Sequence, residues 1–145
     1  MRMIKNFYYK EEQIALVIKN NYYNEGIKFF TEDDSAQQIA YMSHPKNTII
    51  KAHVHNRVKR NVYDTQEVLI IKKGKLRLDL YSQDKEYIES TILEAGDIVF
   101  LPHGGHGLKC LEDVSIIEVK QGPYLGVNDK VRFQEISDDK VVINE

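Results

Sequence analysis

The chain predicts an all-β domain built as a sandwich or barrel. Three observations carry that reading. Short runs rich in Val, Ile and Leu, bounded by turn residues, recur about every 8 to 12 residues from Asn47 onward. Lys75-Leu76-Arg77-Leu78-Asp79-Leu80 alternates charge and leucine, so one strand face should be buried and the other wet. No stretch sustains the 3.6-residue apolar period of an amphipathic helix.

Taken in order, residues 1–12 are polar and charged around the aromatic pair Tyr8-Tyr9. Ile14 to Ile18 is a β-branched run and a strand. Asn20-Asn21 and Asn24-Glu25-Gly26 read as turns, Ile27 to Phe30 as a second strand and Thr31 to Ser35 as a loop. Gln38 to Met42 reads as a third strand, stopped by Ser43-His44-Pro45. Val68 to Ile71 and Lys75 to Leu80 flank a turn at Gly74. A turn at Ser82 to Lys85 leads into Tyr87 to Leu93, and Ala95-Gly96-Asp97 turns the chain into Ile98 to Leu101. Leu108 to Leu111 and Val114 to Val119 follow a glycine-rich loop. In the tail, Gln121 to Gly126 cannot continue a strand. The segment from Asp129 to Phe133 is read either as a flap over the barrel mouth or as an extension packed on the outside.

At 145 residues, 42% apolar and 29% charged, the chain is expected to form one domain, 1–145, with a real core. A net charge of −2 argues against general nucleic-acid binding. The one cysteine, Cys110, excludes an internal disulfide and is expected to be a small buried hydrophobe. The start, Met1 to Asn6, has no leader pattern, and no apolar run is long enough to span a membrane. A cytoplasmic location is the expectation.

The chemistry concentrates in two places. Lys51-Ala52-His53-Val54-His55 sets two imidazoles on one face if the segment is a strand, because strand side chains alternate. Pro102-His103-Gly104-Gly105-His106 brings further histidines. Three imidazoles and a carboxylate converging in a small barrel make a metal site with open positions, suited to Fe, Mn, Ni, Cu or Zn. The intervening loop, Asn56 to Thr65, carries Arg57, Lys59 and Arg60. With Lys51 these cations favour an anionic ligand, since Arg pairs bidentately with phosphate or carboxylate. They serve equally as a solvated edge that resists pairing.

These residues resemble the cupin superfamily of small double-stranded β-helix (jelly-roll) barrels. The family's first motif runs Gly, five residues, His-x-His, three or four residues, Glu, six residues, Gly. His53, His55, Glu67 and Gly74 match it. Asn47 stands for the leading glycine, a position Asn tolerates at positive φ, and eleven residues separate His55 from Glu67. The second motif runs Gly, five residues, Pro-x-Gly, two residues, His. Gly96, Pro102 and Gly104 match, and the histidine comes one residue early at His106, with His103 as its competitor. The resemblance covers about residues 38–120.

It implies a cupin-type jelly roll with N-terminal extra strands and an irregular C-terminal tail. It also implies one divalent transition metal held by His53, His55, Glu67 and His106. Arg57, Arg60, Lys51 and Gln66 are the candidate substrate-binding residues, and Glu67, Tyr63 and Tyr124 the candidates for acid–base work. By strand alternation only one of Gln66 and Glu67 should face inward. The resemblance extends to small barrels encoded among bacterial surface-polysaccharide and nucleotide-sugar genes. Those include epimerases and ketoisomerases that work through His and Tyr, whose His-Asp-Tyr pattern is not clear here. The expectation is a metal-binding cupin acting on a small anionic or sugar-like molecule, whether as isomerase, oxygenase or lyase. A homodimer is expected through N-terminal strands crossing to a partner. The alternatives are a non-catalytic module that binds a small ligand, with or without metal, and a barrel whose histidines do nothing.

Overall fold

A computed structural model describes residues 2–145. Met1, the first residue of the Met1 to Asn6 start, lies outside them. The strands in chain order are β1 (Ile4–Tyr9), β2 (Glu12–Ile18), β3 (Gly26–Phe29), β4 (Ala40–Ser43), β5 (Glu67–Lys73), β6 (Lys75–Tyr81), β7 (Tyr87–Glu94), β8 (Ile98–Leu101), β9 (Gly105–Cys110) and β10 (Ser115–Lys120). The fold is all-β, in three antiparallel sheets rather than one closed barrel. The chain divides into two compact units, one comprising residues up to 22 together with 64–145, the other residues 23–63.

The first unit holds two sheets, ordered β1-β2-β8-β5-β10 and β7-β6-β9. Phe7, Ile14, Val17, Leu69, Ile71, Leu76, Leu78, Leu80, Leu93, Val99 and Leu101 form its core. Each such side chain contributes about 1.5–3 kcal/mol through burial. Strand β1 was not expected, because its composition is polar. It forms by alternation: Lys5 and Phe7 are buried, Asn6 and Tyr8 exposed. The Lys5 ammonium donates to the Asn144 carbonyl at 3.1 Å and to Thr91 Oγ1 at 3.4 Å. Burial, followed by the charge of Lys19, lowers its pKa.

The alternation in β6 is real, but its charged face is not wet. Leu76, Leu78 and Leu80 face the core, while Arg77, Asp79 and Tyr81 are buried on the opposite face. The C-terminal tail covers them. Arg77 forks onto Asp79 through Nε at 2.7 Å and Nη2 at 2.9 Å, and its Nη1 reaches Asp138 at 2.9 Å. Ser90 Oγ donates to Asp79 at 2.5 Å, and the Ile136 amide donates to the Tyr81 hydroxyl at 2.9 Å. Phe133 meets the Tyr81 ring edge-on at 5.0 Å. Ser90 exchanges backbone bonds with Val142 and Asn144, closing a parallel bridge. Residues 133–144 of the tail thus pack on the outer face of β6 and β7, while Asp129 bonds Lys120 of β10.

The second unit is a hairpin, β3 against β4, with Thr31 to Ser35 in its loop as expected. No strand forms between Ser43 and Glu67. The strand series expected from Asn47 therefore begins only at Glu67, and His53 and His55 lie outside any strand. The run 48–55 has strand-forming composition, yet a strand requires a neighbour for its N–H and C=O groups. Asn47 does take the expected positive φ, at 72°. None of residues 23–63 is buried.

Candidate metal centre

Glu67 opens β5, between Leu101 of β8 and Lys120 of β10. This interior position buries the carboxylate. His106 is the second residue of β9, opposite Leu80 of β6. Its place is set by the preceding loop, where Gly104 has φ 78° and a Cβ would lie 2.6 Å from the Tyr81 carbonyl oxygen. Only glycine meets both demands. The two residues approach across the gap between the sheets, with His106 Nε2 2.9 Å from Glu67 Oε2.

His106 beside it, seconded by the more remote charges of Lys120 and Lys130, lowers the Glu67 pKa against the opposing effect of burial. The close approach is nevertheless off the line of a hydrogen bond, so the buried Oε2 receives no well-directed donor. A buried carboxylate oxygen without a well-directed donor is costly, and its nearest polar neighbour here is the His106 ring nitrogen.

The other two candidate ligands belong to the second unit. The His53 and His55 rings stand edge-to-face, centroids 5.3 Å apart at 77°. His53 Nδ1 lies 2.8 Å from the Lys51 carbonyl oxygen. A carbonyl only accepts, so the Nδ1 N–H is the donor. Metal-bound histidines are commonly oriented in this way. The candidate ligands thus stand as two pairs, Glu67 with His106 in the first unit and His53 with His55 in the second. Among the described residues no group of three or more His, Cys, Asp or Glu side chains gathers to hold an ion.

His103 turns elsewhere, its Nδ1 3.6 Å from both Glu12 and Asp64, so His106 is the histidine set beside Glu67. Gln66 and Glu67 are both buried, against the expectation that one would face out. Gln66 precedes the first residue of β5 and escapes its alternation, and its carbonyl accepts the Gln121 amide at 3.1 Å. Lys51, Arg57 and Arg60 are exposed, as are Tyr63 at 94% and Tyr124 at 74%. Cys110 is exposed rather than buried, because β9 is an edge strand and this end of it lies outside the core. Lys120 was not anticipated. It pairs with Glu67 in the β5–β10 register, bonds Asp129 at 3.1 Å and lies 5.4 Å from the Tyr124 ring centroid. Only the long-range register reveals it.

Compared with known protein families, curated proteins and solved structures, the chain finds no match. No helix of the described residues is long and apolar enough to cross a membrane.

Proposed function

We propose that this protein is a metal-binding domain of cupin type that holds one divalent transition metal and handles a small anionic or sugar-like molecule. The observation that carries the proposal is the buried Glu67 Oε2, without a directed hydrogen bond and 2.9 Å from His106 Nε2. Glu67 and His106 would supply one oxygen and one nitrogen ligand, and His53 and His55 two more nitrogens. A bound metal would act as a Lewis acid toward a carbonyl or hydroxyl oxygen, or bind O₂. Lys51, Arg57 and Arg60 are the cations offered to an anionic ligand.

The test is elemental analysis of untagged protein beside the variants Glu67→Gln and His106→Ala. About one equivalent of Fe, Mn, Ni, Cu or Zn, lost in both variants, is the expected result. Failure of the wild type to retain metal after supplementation sinks the proposal. The second reading is a binding module without catalysis. The exposure of Tyr63 and Tyr124 favours it, because neither phenol is held in a desolvated site suited to proton transfer. Retained metal and ligand affinity, with no turnover of sugar or acid substrates, would decide for that reading.

A further inference from the structure

We propose that residues 121–132 are a flap over the Glu67–His106 site, latched by the Lys120–Asp129 ion pair and opened to admit a small ligand. The nature of the ligand rests on the metal-site reading above, whereas the gating of His106 does not.

Both site residues lie at one end of the first unit. Glu67 is the first residue of β5 and pairs with the last residues of β8 and β10, Leu101 and Lys120. In the other sheet, His106 follows Gly105, the first residue of β9, which pairs with Tyr81 at the end of β6. The chain leaves β10 at Lys120, opposite Glu67. It returns with Phe133, whose ring meets that of Tyr81 edge-on at 5.0 Å. A Cβ on Gly105 would lie 3.3 Å from the Phe133 ring. One foot of the segment therefore stands beside Glu67 and the other beside His106. Between them the chain crosses from one sheet to the other, at the end where the two side chains meet at 2.9 Å. The charge of Lys130, within the segment, acts on the Glu67 carboxylate as that of Lys120 does.

The segment is held at few points, and Lys120 is the main one. Its ammonium bonds Asp129 at 3.1 Å and lies 5.4 Å from the Tyr124 ring centroid. The Asp129 side chain is 5% exposed. One backbone bond, from the Gln121 amide to the Gln66 carbonyl, fixes the near foot. Between these points little is packed. Leu125 is 59% and Val127 95% exposed, the 3-10 turn Gly126–Asn128 holds no buried residue, and a Cβ on Gly122 would meet no atom within 4 Å. A segment with so few buried contacts opens at far smaller cost than the sheets beneath it. Closed, it shields a polar pair from water, and open, it gives a small molecule access to that pair.

The test follows the reaction of His106 with diethyl pyrocarbonate, read by mass spectrometry of its peptide. A chelator is present, so that only the protein can shield the imidazole. Asp129→Asn removes the latch, and His106 should then react about fivefold faster than in wild type, the share that a partly exposed ion pair supplies. Asp129→Glu, which keeps the charge, should react at nearly the wild-type rate. Asp138→Asn loosens the tail on the outer face of β6 instead and should leave the His106 rate unchanged. An unaltered rate in Asp129→Asn, or an equal rise in Asp138→Asn, overturns the flap. Where wild type retains metal, its release to a chelator should quicken in Asp129→Asn in step with the His106 reaction. A gated His106 in a protein that holds no metal upholds the flap and removes the metal reading alone. Retained metal beside an ungated His106 overturns the flap and leaves the metal reading standing.

Discussion

Glu67 with His106, and His53 with His55, are two pairs of candidate ligands fixed by opposite means. The first pair is distant in sequence and is brought together by the fold. Strand β5 is held between β8 and β10, and β9 is held on β6, so the two side chains meet across the sheets at 2.9 Å. The second pair is local, two residues apart, and meets without any sheet. Backbone pairing is thus what separates a placed ligand from an available one. A carboxylate on an interior strand cannot leave its position without breaking bonds on both sides, whereas a histidine in an unpaired segment can be delivered anywhere the segment docks.

The largest expected contrast is in amide exchange. The amides of Leu69 and Ile71 in β5 should exchange only through global opening, about 10⁴-fold or more slower than an unprotected chain. Those of residues 49–55, which lie in no strand, should exchange near the unprotected rate. Strong protection over 49–55 would break the comparison, by showing that this segment has a strand partner.

Next in size is Arg77→Ala. It strands Asp79, 3% exposed, with only Ser90 and its neighbours. Removing one partner of a buried ion pair costs about 3–5 kcal/mol. Urea denaturation measures it, and a loss below about 1 kcal/mol would mean that water reaches Asp79 and that the tail is not a seal. Replacing the pair together, as Arg77→Met with Asp79→Leu, should recover much of the loss. In the second unit, Arg57→Ala with Arg60→Ala should change stability by no more than about 0.5 kcal/mol, since both side chains are exposed. A larger effect would place those cations in structure rather than at a ligand.

These contrasts also mark what the sequence made legible. The all-β class, and most strands after Glu67, followed from alternation and turn residues, because both signals are local. Turn glycines such as Gly74 and Gly96 were legible for the same reason. Strand β1 escaped because its buried face carries Lys5, whose partners Asn144 and Thr91 lie far along the chain. The face of Arg77 and Asp79 escaped because charge alternation looks the same under solvent and under a tail that supplies its own counter-charge. For the site, His-x-His and the Glu67 spacing were visible as a pattern. The approach of Glu67 to His106, and the nearness of Lys120, depend on pairings across dozens of residues. No local window holds them.

The smallest expected effect tests how the tail is tied down. Lys109 first, and Arg77 second, hold the Asp138 pKa below the ordinary aspartate value. A depressed folded-state pKa means that this contribution is complete above the unfolded aspartate pKa. It falls away as pH drops through the lower, folded one. Asp138 is exposed, so salt and solvent screen it and the effect is small. Wild type and Asp138→Asn should therefore differ slightly in melting temperature at neutral pH and converge in acid, below the folded pKa. Added salt should narrow the neutral-pH gap by screening Lys109, while the buried fork of Arg77 on Asp79 persists. A gap that widened in acid would mean that the variant disturbs the Arg77–Asp79 pair itself. The tail would then be part of the sheet's internal ion pairing rather than a cover laid over it.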